Sequence, residues 1–548
     1  MPKVTLNTKR IKKLIGKDLS LEQLHDRISM IGTDLEHVNE KEILVEVFPN
    51  RPDWLSEQGF ARSLATFIGT KKGISQFPVK DSKQKIIIDK SVADIRPYTV
   101  CAIIKGLTLN DETIREIMQI QEKLHVTHGR HRKRCAIGIY PLDKIHFPVT
   151  YTALSPKDIS FVPLESKEKM AANEIISKHP AGKQYGHLLE GKSKYPVFID
   201  SKKEILSMPP IINSHTVGKV TEKTKDVFIE CSGTDYDSLS TCLNIIVTTL
   251  ADMGGQIFSL KLEYGKETKE TPNLDPRETL VSLDYVNKRL GLELTEKQMI
   301  SYLEMMGYGY KNKKVLIPAY RADVIHPIDV VEDIAVAYGF EKFEPQIPNV
   351  STIGAEDPLE SFKRTLAHLL TGLSYLELNT YNIANRQHQQ DWMNTKIPLV
   401  ELANALNEEY NVMRAWLVPS LIDALRNNRQ REYPQCVFEA GAVFEKGDSE
   451  TGVVEPQKLA IAKAGEGSNY TEMRQVVEYL LDQLGVEYEF TAAEHPSFIS
   501  GRCAQLIIDN KDLGIIGELH PQVISNWGLE VPVCVCELHL SLLFDQIK

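Results

Sequence analysis

The sequence predicts an α+β multidomain protein, and three observations carry that expectation. Segments with an apolar period near 3.6 residues alternate with short β-branched runs bounded by glycine and proline, the marks of amphipathic helices and half-buried strands. The length, 548 residues, allows three to five domains with a full core each. The texture also changes along the chain, which places domains at about 1–85, 91–265, 270–345 and 355–548.

Composition narrows the class. A net charge of -10 argues against a chain that grips nucleic acid over its whole surface, while leaving room for a local basic face. The eight cysteines are scattered with no C-x₂-C pair, so neither a zinc site nor a disulfide framework is suggested. The opening MPKVTLNTKRIKKL lacks an apolar signal core and no stretch approaches the length of a membrane span, so a cytoplasmic protein without membrane contact is expected.

Residues 1–85 open with a basic strand-and-helix unit in which Leu14, Leu21, Leu24 and Ile28 can line a helix. IGTDLEHV and EILVEVF follow as strand material, and Ser56 with Glu57 opens a helix that Gly69 closes. Asn50, Arg51 and Asp53 sit in the turn between Pro49 and Pro52 and read as surface loop. KKGISQFPVKDSKQK looks like a linker.

From Ser91 to Tyr264 the chain is strand-rich. YTVCAIIKGL reads as a strand, DETIREIMQIQEKLHVTHG as a helix and CAIGIYPLDKI as a strand. Between the last two lies HGRHRKR, the densest positive run in an acidic protein. Contact with phosphates is its natural use, and a solvated charge run is the plainer account. Further on, strands are expected at Val197–Ile199, Lys219–Thr221 and Val227–Ile229 around SMPPIINSHTVG. There Pro209 and Pro210 fix φ, so that Ser207, Asn213, Ser214 and Thr216 can face a cavity. No Ser, His and Asp arrangement indicates a hydrolase triad.

In residues 270–345, Ser282 can cap LDYVNKRLG, and Thr295 with Gln298 forms a capping box before QMISYLEMMGY. With a strand at VLIPAY this suggests a winged helix-turn-helix, although TEKQMISYLEMMG is poor in the donors that base readout needs. The stretch YRADVIHPIDVVEDIAVAYGF holds Asp323, Asp329, Glu332 and Asp333, with Pro327 suited to a first helical turn. Ile328, Val331, Ile334, Ala335 and Tyr338 would form the docking face. The acids either answer the helix dipole or share a divalent cation, for which oxygen-only ligation suits magnesium. Residues 355–548 read as one α/β domain on antiparallel strands, closing with VPVCVCELHL, whose alternation belongs inside a sheet.

Taken together, RADVIHPIDVVEDIAVAYGF, NALNEEYNVMRAWLVPSLIDALRNN with CVFEAGAVF, and LGIIGELHPQVISNWGL with CELHL resemble the phenylalanyl-tRNA synthetase β subunits of archaeal and eukaryotic type. The resemblance runs along essentially the whole chain. It implies that residues 355–548 form a class II synthetase-like core without catalytic activity, in keeping with the lack of ATP-binding arginines around Arg414 and Arg474. It implies a separate α subunit that binds ATP and phenylalanine in an (αβ)₂ tetramer, with tRNA(Phe) as the shared substrate. It implies Mg2+ on Asp323, Asp329, Glu332 and Asp333.

It implies, too, that residues 91–265 are an editing domain that hydrolyses Tyr-tRNA(Phe). Ser207 and Asn213 match positions lining the family's editing pocket, Phe198 would add an apolar wall and Glu230 would accept the tyrosine hydroxyl. His215 is more naturally a surface residue than a base. Arg130, Arg132, Lys133 and Arg134 match a basic stretch that would touch the tRNA backbone. Neither an oligonucleotide-binding insertion in the first 90 residues nor a segment beyond Lys548 is present to read the anticodon, so that task would fall to the α subunit or the N-terminal unit. A DNA-binding regulator using the winged unit is the alternative, and it requires a basic recognition helix. A free-standing hydrolase would need no chain beyond about residue 265.

Overall fold

The structure is a computed structural model in which residues 2–547 are described. The chain divides into two compact units, residues 1–347 and 348–548.

The first unit begins with a three-stranded antiparallel sheet in the order Lys3–Asn7, Glu42–Glu46, Asp34–Val38. The stretch expected to form one helical face is two helices. Gly16, at φ 70°, ends Thr8–Ile15, and a Ser20–Gln23 capping box starts Leu21–Met30. Ser56 caps Glu57–Phe67 as expected. The Arg51 turn departs from expectation: Arg51 and Asp53 are buried, joined by two hydrogen bonds of 2.9 and 2.8 Å, and Arg51 lies 3.8 Å over the Trp54 ring. A bidentate pair stacked on an aromatic can be taken from water because each charge finds its partner in place.

A ten-stranded sheet follows. Its path runs Ile212–Asn213, Ile205–Met208, Tyr195–Ile199, Val149–Leu154, Val79–Ile88, Gln256–Tyr264, Tyr98–Lys105, Val227–Gly233, Cys135–Pro141, and Glu267–Thr271 pairs beside Gln256–Tyr264. Part of the supposed linker, Val79–Ile88, is thus an inner strand, parallel to both neighbours. Only Ile86 and Ile88 are buried there; its first half is solvated and pairs on one side alone, with a break in register, while Ile86–Ile88 pair with the neighbour on the other side. Lys219–Thr221 is no strand; it enters a turn that the Thr221 N–H closes onto Thr224 Oγ at 3.0 Å. On the sheet lie the helices Asp111–Val126 and Tyr236–Asp252, the latter buried along most of its length.

Residues 277–338 add a small antiparallel sheet, ordered Arg277–Leu280, Lys314–Ile317, Gly309–Lys311, with helices Leu283–Leu290, Glu296–Met305 and Pro327–Tyr338. Ser282 and the Thr295–Gln298 box cap the first two. Along the third, Val330, Val331, Ile334, Ala335 and Ala337 face inward and Ile328 is 40% exposed, so the buried face is turned from the one expected. The three predicted N-terminal domains share one core, although two further apolar clusters, around Tyr140, Phe198 and Phe228 and around Phe161, Ile175 and Met208, lie wholly within residues 86–262. One apolar cluster runs from Val4 and Leu6 through Leu64, Leu243 and Leu250 to Leu303, Val331 and Ile334.

The second unit is a seven-stranded sheet, in order Leu376–Glu377, Gln435–Ala442, Gln457–Ala464, Val533–His539, Lys511–Leu519, Phe498–Ile508, Glu489–Ala492, antiparallel except for its first pair. Alternation splits the strands between two cores. Cys534, Cys536 and Leu538 pack with helices Pro358–Gly372 and Tyr470–Leu484, while Val533 and Val535 pack on the other face with Val418–Asn427.

Candidate functional site

A cleft of about 620 Å³ opens on the ten-stranded sheet of the first unit. Its floor is set by strand register. Gly138 lies opposite Glu230 and Ser207 opposite Asn213. Gly138 is needed because a Cβ there would stand 2.2 Å from the Tyr140 hydroxyl and 2.5 Å from Glu230 Oε1. Through that gap the Tyr140 hydroxyl reaches Glu230 Oε1 at 3.0 Å and Asn213 Oδ1 at 3.2 Å.

Glu230 is buried, and burial raises its carboxyl to about 8, against the smaller opposing pull of Tyr140. Near neutrality it is therefore protonated. A Glu230 O–H can donate to the Tyr140 oxygen while Tyr140 donates to Asn213, an ordered chain of donors. Ser207 is buried beside Glu230 and helps favour its charged form, yet neither Ser207 Oγ nor Glu230 Oε2 makes a hydrogen bond of normal geometry. Two buried polar atoms at the foot of a cleft are the sort of donor and acceptor a polar ligand group would satisfy.

The helix Asp111–Val126 supplies one wall. His125 is buried; its Nε2 accepts the Ile137 N–H at 2.8 Å and its Nδ1 faces Glu122 at 3.3 Å. Nε2 as acceptor puts the proton on Nδ1, and burial keeps the ring neutral. Glu122, hydrogen-bonded by His125 and beside Arg132, is held down to about 2.

Of the predicted site residues, Ser207, Asn213 and Glu230 come together here. Phe198 pairs with Ser207 in the register and so lies on the same face, but it is fully buried, stacks on Tyr151 at 4.4 Å and does not line the cleft. His215 is exposed and off the cleft. The basic run is divided as well. Arg130, His131 and Arg132 have φ of 50, 52 and 64°, a left-handed turn that swings Arg132 inward. Its guanidinium donates to the Pro210 and Ile211 carbonyls at 3.3 and 3.0 Å and to Glu122 at 3.1 Å, over the Tyr185 ring. Arg132 is thus a cleft wall, and Arg134 pairs with Asp235 at 3.2 Å. Only Arg130 and Lys133 face outward without an ion pair among the described residues. Sequence reasoning passed over Tyr140 and His125; the signal for the first was a glycine two residues before it in a β-branched strand.

The acidic corner is held together by Arg321, Tyr308 and backbone N–H groups. Arg321 binds Asp323 through two hydrogen bonds of 2.8 and 2.6 Å and reaches Asp333 at 2.8 Å. Tyr308 donates to Asp333 at 2.5 Å, and Asp329 accepts the Ile325 and His326 N–H groups at 2.8 and 2.7 Å. Burial pushes Glu332 up, with its acidic neighbours adding to the effect. Among the described residues no three metal-ligating side chains are drawn together. Arg321 and backbone N–H groups serve Asp323, Asp329 and Asp333, while Glu332 is exposed and feels the charge of all three.

In the second unit Arg414 is buried against Glu439 at 2.7 Å and Thr380 at 2.9 Å, and Arg474 is spent on Glu478 at 2.7 Å. Arg414 is thus held inside the fold, while Arg474 makes a half-exposed pair within its own helix.

Comparison with known proteins covers both units. Residues 279–340 match the tRNA synthetase B5 domain and residues 344–540 the phenylalanyl tRNA synthetase beta chain CLM domain. The phenylalanine–tRNA ligase β subunit of Pyrococcus horikoshii is 40% identical, over 99% of this chain and 100% of its own. That of Archaeoglobus fulgidus is 36% identical, over 100% and 99%. The crystal structure of an N-terminal fragment of the Pyrococcus horikoshii phenylalanyl-tRNA synthetase β subunit, 39% identical, aligns with a TM-score of 0.59 over 62% of this chain and 99% of the fragment. Similarity at this level over the full length of both chains, with two family domains in sequence and a matching fold, means that the chain belongs to the phenylalanyl-tRNA synthetase β-subunit family.

Proposed function

We propose that this chain is the β subunit of a phenylalanine–tRNA ligase: it supports ATP-dependent attachment of phenylalanine to tRNA(Phe) by an α subunit and hydrolyses mischarged Tyr-tRNA(Phe) in the Glu230 cleft. The α subunit binds ATP and phenylalanine, and the working form is an (αβ)₂ tetramer. Magnesium is the cation of the family's aminoacylation reaction, with Asp323, Asp329, Glu332 and Asp333 as its candidate ligands, and the work is done in the cytoplasm, where charged tRNA is used.

The observation that carries the editing role is the buried Glu230 carboxyl with an unbonded oxygen at the foot of the cleft. An apolar pocket for phenylalanine excludes an added hydroxyl only about a hundredfold. A second pocket that bonds the tyrosine hydroxyl reverses the preference, because phenylalanine would leave the carboxyl unpaired at a cost of about 1–3 kcal/mol. Both nitrogens of His125 are engaged, so it is no general base; the terminal ribose and backbone groups are left to position the attacking water. The regulatory alternative fails on its own requirement, since Glu296–Met305 carries Lys297 as its one basic side chain.

In the assembled α/β enzyme, Asn213→Ala should slow Tyr-tRNA(Phe) deacylation at least tenfold and leave phenylalanine charging nearly intact. Equal deacylation by variant and parent removes Asn213 from the site. Failure of the assembled enzyme to charge tRNA(Phe) at all overturns the assignment.

A further inference from the structure

Beyond Lys219 the chain folds into a turn that lies against the start of the Leu142–Lys144 segment, and the two enclose a groove of about 400 Å³. Lys144, Lys219, Lys223 and Lys225 line it, all exposed, and none pairs with a carboxylate among the described residues. Elsewhere some exposed lysines are tied to acids, as Lys85 is to Glu263, Lys178 to Glu174 and Lys314 to Glu278. Two carboxylates share the groove with these four: Asp143, and Asp226, which accepts the Gly106 N–H, while Glu222 outside it accepts the Asp111 N–H.

The groove is joined to the cleft by chain and by register. Asn213 is six residues before Lys219, and Gly218 packs on it so closely that a Cβ there would stand 3.1 Å from the Asn213 Cβ. On the sheet, Val227 pairs with Pro141 at the groove end, three positions from the Glu230–Gly138 pair, which is about 10 Å along a strand. Four unpaired cations this close repel one another and gain most from a ligand that brings spaced negative charge. We propose that this lysine groove binds the phosphates of the 3′-terminal strand of tRNA and leads the mischarged end into the Glu230 cleft. The inference rests on the editing reading above and adds to it a second partner surface, distinct from the HGRHRKR turn at the opposite end of the Cys135–Pro141 strand.

The test uses the assembled α/β enzyme with Lys219→Gln, Lys223→Gln and Lys225→Gln combined. Deacylation of Tyr-tRNA(Phe) should show a KM raised about tenfold at unchanged kcat. The dependence of log kcat/KM on log salt should become shallower by about 2, the value for three lost phosphate contacts on a single strand. Hydrolysis of 3′-tyrosyl-adenosine, which has no phosphates, should be unaffected. An unchanged KM and salt slope on the full tRNA overturns the proposal and marks the lysines as solvated surface only. An equal fall in phenylalanine charging also overturns it, since the lysines would then hold the whole tRNA rather than deliver its end. Glu230→Ala, assayed alongside, reports on the cleft alone: if it deacylates as fast as the parent, the editing reading fails whatever the lysines do.

Discussion

Glu230 shows how one side chain ties recognition to stability. Its carboxyl titrates at about 8 in the fold, against a value near 4.5 when exposed. Between those limits the native state keeps a proton that the unfolded chain has released, so stability falls as pH rises, by about 1.4 kcal/mol per unit, and is level outside them. Glu116, raised to about 7 chiefly by burial, adds a slope of the same sign that ends lower. Glu230→Gln should therefore lose less melting temperature than the parent between pH 5.5 and pH 8, as followed by calorimetry; identical pH profiles would place the titration elsewhere. At this scale the sequence was partly legible. Ser207, Asn213 and Glu230 meet because strand register puts them there, and the resemblance had marked them. Phe198 sits on the same face as Ser207 but is kept out of the cleft by its stacking on Tyr151, and depth within a sheet leaves no mark in a fully apolar run. The Arg51–Asp53 pair hid for a similar reason: its charges look like loop until a bidentate geometry removes them from water.

Among the elements, the helix Pro327–Tyr338 depends most on a single contact. Arg321, 3% exposed, neutralises Asp323 and Asp333 together and thereby pins the helix start to the small sheet. Arg321→Met should destabilise the first unit by about 3–5 kcal/mol, because two largely buried carboxylates would lose their countercharge. Denaturant unfolding of the unit checks this, and a loss under about 1 kcal/mol would show that water or an ion had replaced the guanidinium. Helix starts were the most legible elements, since Ser56, Ser282 and Thr295 cap through short-range bonds that spacing reveals. Val79–Ile88 was the least legible. A strand paired on both sides only over its last three residues and solvated over the rest carries little apolar signal, and only long-range partners betray it.

On the scale of the whole molecule, the fold class followed from the mixture of periods, whereas the partition of residues 1–347 did not. Continuous apolar contact from Val4 to Ile334 joins segments that composition separates. A fragment of residues 1–347 should melt in one cooperative transition by calorimetry, and separate transitions for its parts would contradict a shared core. Trimming that fragment back to about residue 265 would uncover the partners of Leu303, Met306 and Val331 and should yield aggregation-prone material. The shared core also bears on how such a protein can change over time. A proofreading cassette sunk into its neighbours cannot be lifted out and traded between lineages like a bead on a string; substitutions in the cleft must be tolerated by the flanking segments, so the three would be expected to drift together.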